Sequence, residues 1–238
     1  MRSWTYRHPE WAPLGVSLIG WVLLARLAWL PPVTGAPMPG MDHVHLAVGG
    51  GFWALFGHEL LAWTLMLLAM MLPTTVPAVR YVAFASRRAR RQRSVVAFTL
   101  GYLAAWLTLG VLVSLLLATL PPLGTVPVAI GIALAGAWEL TPVKRVALRR
   151  CHRTSPVRFD GLAADRSAAS FGWKHGRTCV LIGGPAMIAL TALGHPAIAT
   201  VIVAVIMFGQ KIIRRSDRWT PGVAVGGVVA GLLVLGLQ

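Results

Sequence analysis

Long apolar stretches recur along the whole chain, and its Lys and Arg residues collect in alternate gaps between them. A helix needs about 20 apolar residues to cross a hydrocarbon layer of about 30 Å, and these stretches supply that length repeatedly. The expected fold is therefore all-α, a polytopic transmembrane helix bundle, and a soluble fold is effectively excluded. Of 238 residues, 56% are hydrophobic and only 12% charged, which leaves no room for a large soluble domain. The chain reads as a single transmembrane domain over residues 1–238.

Seven spans are expected, at about residues 11–30, 52–77, 95–120, 123–140, 179–194, 196–210 and 220–237. The first ends at Pro31-Pro32, where the missing donors favour an exit from helix. Arg26 lies inside its apolar run and no small-residue cleavage pattern follows, so it reads as a retained anchor. The apolar region from Cys179 to Gly209 is too long for one untilted helix and is interrupted by Gly194-His195-Pro196, which divides it into two. Basic connections at 80–94, 141–178 and 211–218 alternate with connections that hold no Lys or Arg. By the positive-inside rule the amino terminus and the basic connections are cytoplasmic and the carboxyl terminus is outside. Lys144 and Lys211 read as anchors at the membrane interface. Arg26 falls outside the scheme, and would snorkel or pair with a carboxylate inside the bundle.

The formal charge of +15 would suggest nucleic acid in a soluble protein. Clustered at helix ends it belongs to topology, and no nucleic-acid partner is expected. Two cysteines give neither a disulfide framework nor a CxxC pair. The expected location is the cell membrane, multi-pass, with the lipid bilayer, other membrane proteins or further copies of the chain as partners.

The first outer connection carries Met38, Met41, Asp42, His43 and His45 within eight residues. An extended His-x-His places both rings on one side, and thioether sulfur beside imidazole suits copper better than magnesium or calcium. His58 and Glu59 at the start of the second span, and His195 between spans five and six, fall on the same side. Within the second span Glu59, Trp63, Met66 and Met70 recur at helical spacing. A carboxylate in a membrane helix is costly unless it faces partners, water or a metal, so Glu59 is expected to point inward; pairing with Arg26 is the structural competitor. Packing is the ordinary use of such methionines. On the cytoplasmic side Cys151, His152 and Cys179 form a candidate thiol site, against the simpler reading of incidental thiols among arginines.

The segment Trp63 to Pro73, W-T-L-M-L-L-A-M-M-L-P, resembles the signature of a family of bacterial polytopic proteins known as predicted metal-binding integral membrane proteins. Gly101-Tyr102, Trp106, the run Trp138 to Lys144, Cys151, Gly172, Gly176, Cys179, Met187, Gly194, Met207 and Lys211 follow in the family's order. Ala-Met-Met-x-Pro and Thr-Pro-x-Lys are the most specific elements. The resemblance implies a membrane fold and a metal-related role. The chain departs from it near Cys179, where family members carry several further cysteines.

The function expected is handling of a soft transition metal, copper first, in transport or delivery. The alternatives are a non-catalytic accessory subunit of a membrane complex, and a proton-linked small-solute carrier using Glu59 or Glu139. No nucleotide loop and no nucleophile-base-acid set occurs, so the chain is not expected to be an enzyme.

Overall fold

The computed structural model describes residues 9–29, 51–120, 123–158, 160–213 and 218–236. Among these the fold is all-α, without strands. The helices are α1 (Trp11–Trp29), α2 (Phe52–Met66), α3 (Val76–Ala85), α4 (Arg91–Thr119), α5 (Thr125–Trp138), α6 (Pro142–Cys151), α7 (Gly161–Ala192), α8 (Ala197–Ile212) and α9 (Thr220–Gly236).

Two prolines shape the bundle, and each frees a carbonyl that another helix satisfies. Pro73 has no N–H for the carbonyl of Ala69, four residues back. The chain there runs through a π-helical segment, Leu67–Met71, and a 3₁₀ turn, Pro73–Thr75, a local adjustment of the kind a proline imposes. The Ser17 hydroxyl of α1 donates to the Ala69 carbonyl at 2.8 Å, while Thr74 and Thr75 donate to Met71 and Leu72 at 2.7 Å each. Pro185, inside α7, likewise deprives the Leu181 carbonyl of its donor. The Trp138 indole, at the end of α5, donates to it at 2.8 Å. Both freed carbonyls thereby tie their helix to a neighbouring one.

The central pair is α4 with α7, and glycines set its closeness. A Cβ at Gly172 would lie 2.0 Å from the Phe98 carbonyl oxygen, and one at Gly101 would lie 2.2 Å from that of Ala169. Small residues four apart, as at Gly172 and Gly176, let helix backbones touch. Gly172→Ala should therefore force the two helices apart and cost about 1–3 kcal/mol by overpacking. Unfolding of the detergent-solubilised variant checks this, and wild-type stability would refute backbone contact at this crossing. The last helix uses the same device: a Cβ at Gly227 would lie 2.7 Å from the Gly136 Cα, so α9 packs on α5.

Burial of Lys144 and Lys211 corrects one expectation, while the count of spans is met only in part and the 141–178 stretch holds more helix than its polarity suggested. Two helical stretches are long and apolar enough to cross a membrane, Phe52–Met71 and Arg88–Thr119, or three if α5 and α6, bent by 63°, count as one; seven are not evident among the described residues. The stretch 141–178, expected as a connection, is largely helical, because Thr141 caps α6 by accepting the Lys144 N–H with Pro142 at its first turn, and α7 begins 18 residues before Cys179. Polar spacing hid that helix, whose first half packs against α4 and pairs Asp165 with Arg90 and Arg93 at 2.9 and 2.8 Å. Finally, Lys144 and Lys211 are not at an interface but buried.

Candidate metal centre

His175 and Cys179 lie four residues apart on α7, one turn of helix, and so share a face. Cys151 ends α6, which packs against that face. Its sulfur lies 3.8 Å from the Cys179 sulfur and 3.9 Å from His175 Nε2. The three donor atoms lie within 4.8 Å of one another. Cys179 and His175 are buried and Cys151 is half-buried. A disulfide needs its sulfurs about 2.05 Å apart, and both cysteines are free. A single metal ion at about 2.3 Å from each sulfur would bridge such a gap. Two thiols and an imidazole are a soft donor set, suited to Cu(I) or Zn and poorly suited to magnesium or calcium. The residues present therefore fit copper.

Aromatic rings fix the imidazole. Those of Phe98 and Tyr102 lie 5.9 Å from it, and that of Phe171 lies 6.0 Å away. Around Cys179 the core is sulfur-rich, with Met66, Met70, Met71, Met187 and Met207 in one cluster with Trp63, Tyr102 and Trp106. The His175, Cys179, Gly183, Met187 stripe of α7 runs through it, and a Cβ at Gly183 would lie 3.2 Å from the Met207 sulfur and 3.5 Å from Met71 Cε.

A buried polar group adjoins the centre. Lys144 pairs with Glu139, whose other oxygen accepts from the Gln210 amide at 2.8 Å. The ion pair spans the bend between α5 and α6, which explains why Lys144 is drawn inward rather than to a headgroup layer. Lys211 Nζ donates to Thr74 Oγ1 at 3.2 Å and contacts Met71 Sδ at 3.4 Å. The reason is again tertiary: the π-to-3₁₀ segment before α3 turns hydroxyl and thioether acceptors towards α8.

Of the residues singled out in the sequence, Cys151 and Cys179 come together, but His152 does not; it caps the end of α6 exposed to solvent. His175 takes the expected place of His152. Its signal was the His-x-x-x-Cys spacing, masked by reading that segment as a connection. Met66 and Met70 pack in the apolar core, and the π segment shifts the helical phase so that Met71 is the methionine facing Lys211. His58 and Glu59 are half-buried in the middle of α2, with His58 Nδ1 3.8 Å from Glu59 Oε1. His195 follows α7 in a left-handed turn, φ 59° after Gly194 at φ 78°, and its N–H closes on the Leu190 carbonyl at 2.9 Å. Burial pushes its imidazole below the usual value, and His58 adds to this while Glu59 opposes it. Arg26 is exposed and has no ion pair with Glu59. Met38, Met41, Asp42, His43 and His45 lie outside the described residues.

The sequence model of one family, PpoB2, described as a copper chaperone, matches residues 60–234. No curated protein and no solved structure gives a significant match. The matched residues contain all three donors of the Cys151, His175, Cys179 centre, and the chain belongs to the PpoB2 copper chaperone family.

Proposed function

We propose that this chain is a membrane-embedded copper chaperone that holds one copper ion, as cargo, between Cys151, His175 and Cys179 and passes it to a protein acceptor. The convergence of two sulfurs and one buried imidazole nitrogen, with Cys151 Sγ 3.8 Å from Cys179 Sγ and 3.9 Å from His175 Nε2, carries this reading. Three donors leave a coordination position open, so an acceptor's thiol could engage the ion before it is released. The role is delivery rather than catalysis.

Membrane residence is supported by the large apolar side chains on the outside of the bundle. Leu134, Ile198, Val205 and Leu232 are each exposed by 60% or more, an arrangement costly in water and favourable in lipid. The resemblance to predicted metal-binding integral membrane proteins agrees with it. In the orientation given by the basic residues the amino terminus and the thiol centre lie towards the cytoplasm, and the carboxyl terminus lies outside. The outer Met38, Met41, Asp42, His43, His45 segment, with His58, Glu59 and His195, would collect metal on the opposite side.

Copper titration under reducing conditions tests the centre. His175→Ala should weaken Cu(I) binding by about 10–100-fold, since losing even a supporting contact of a metal site has that effect, while His152→Ala should leave it unchanged. Equal affinities of the two variants would remove His175 from the site. For location, the protein should stay with membranes washed in alkaline carbonate; its release into the wash would refute embedding.

A further inference from the structure

The way out of the thiol centre is set by which of its donors solvent reaches. His175 and Cys179 are buried, whereas Cys151, the last residue of α6, is half-buried. The surface at that end of α6 is strongly basic. Arg149, Arg150 and Arg153 are exposed, as are Lys174 and Arg177 on α7. Between the two helices runs a groove of about 310 Å³, lined in part by Val146, Arg150, Thr178 and Leu181. Lys174 and Arg177 stand one helical turn before Thr178 and Leu181, so cations from both donor-bearing helices rim the groove.

These charges are not balanced from within. Elsewhere the chain neutralises its arginines: Arg87 pairs with Asp160 at 2.7 Å, and Arg90 and Arg93 pair with Asp165 at 2.9 and 2.8 Å. No Asp or Glu occurs from residue 140 to 159, and among the described residues none of the groove's cations forms an ion pair. A helix C-terminus favours cations in its last turn, which accounts for Arg149 and Arg150 but not for Lys174 or Arg177 in the middle of α7. The positive-inside rule gives all of them a side of the membrane. It gives no reason for their gathering at the one donor that solvent reaches.

We infer that this groove is where the copper acceptor docks, and that the acceptor is an acidic protein with a cysteine thiol beside its negative charge. The inference rests on the thiol centre proposed above. Opposite charge steers the acceptor in and fixes its register, and the apolar walls at Val146 and Leu181 give it area to bury. Transfer is then a ligand exchange. A Cu–S bond forms to the acceptor thiolate as the Cu–S bond to Cys151 breaks, the Cys151 thiolate takes up the proton that the acceptor thiol released, and copper stays Cu(I) throughout.

The test uses the full chain in detergent, reduced, free of oxygen and loaded with Cu(I). Two synthetic peptides share one Cys-x-x-Cys segment, flanked by glutamates in the first and by lysines in the second, and the rate at which each takes copper is measured. At low salt the glutamate peptide should be faster by at least about tenfold, the lower end of electrostatic steering. At 1 M salt, where screening acts beyond roughly 3 Å, the two rates should agree to within about threefold. Arg149→Glu with Arg150→Glu and Arg153→Glu should hold Cu(I) as the wild type does and turn the preference to the lysine peptide, although the chain as a whole stays basic. Equal rates in the wild type, or a triple variant that still prefers the glutamate peptide, overturns the inference. If that variant fails to fold, the same three positions changed to Gln decide, since a preference they retain in full overturns it and one they lose supports it. Anionic lipid carried through purification by the wild type and not by the variant, with no peptide preference in either, assigns the groove to lipid headgroups and overturns the inference. Cu(I) binding that survives Cys151→Ala with Cys179→Ala overturns the thiol centre and this inference together. Binding lost in that double variant, with equal rates to both peptides in the wild type, overturns only the docking surface.

Discussion

Cys179→Ala is expected to remove high-affinity Cu(I) binding, lowering affinity by more than about a hundredfold, while the helix bundle stays folded. The size follows from its place. Cys179 is fully buried with its sulfur 3.8 Å from that of Cys151, and mutating a group that only supports a metal ligand already costs about 10–100-fold. Removing a ligand must exceed that. Stability should change less, because the lost sulfur is a small volume in a core of adaptable methionines. Competition titration and an absorbance scan for the copper–thiolate band give the readout. A Cys179→Ala protein that still binds copper like the wild type would move the site elsewhere, and the outer His43 and His45 segment would then be the place to look.

Glu139→Ala is expected to have the largest effect on stability, about 3–5 kcal/mol, because it strands a buried ammonium. Lys144 is completely buried and Gln210 also loses its acceptor. The pair ties α5 to α6 across their bend, so the damage should reach Cys151 at the far end of α6 and lower copper occupancy too. Glu139→Leu combined with Lys144→Met should recover much of the loss, since replacing both members of a buried pair by apolar groups is often neutral. Denaturant unfolding in detergent checks both variants. A Glu139→Ala protein within about 0.5 kcal/mol of wild type, the range of ordinary surface substitutions, would show that the pair does not hold the bend.

Helix class and several helix ends were legible along the chain. Trp11–Trp29 forms a helix within the expected first span, and the break at Gly194-His195-Pro196 separates α7 from α8. These are local matters, set by apolar runs, glycine's left-handed turn and proline's missing donor. The amphipathic and charged helices were harder. Residues 161–178 carry Asp165, Arg166, Lys174 and Arg177, and such polarity reads as connection until α4 is seen to cover the other face.

The candidate site divides in the same way. The sequence by itself determined an all-helical, strongly apolar and basic chain whose only thiols are Cys151 and Cys179, and it pointed to soft-metal chemistry through cysteine, histidine and methionine. It could not tell a lysine that anchors in headgroups from one buried beside Glu139 or Met71, because both follow an apolar run. Only the tertiary structure decided that His175 rather than His152 joins the thiols and that Lys144 and Lys211 are buried. The physical reason is that composition and periodicity report which face a residue occupies on its own helix. Which faces meet depends on backbone contact at Gly101 and Gly172 and on the carbonyls freed by Pro73 and Pro185, which Ser17 and Trp138 satisfy from elements far apart in the chain.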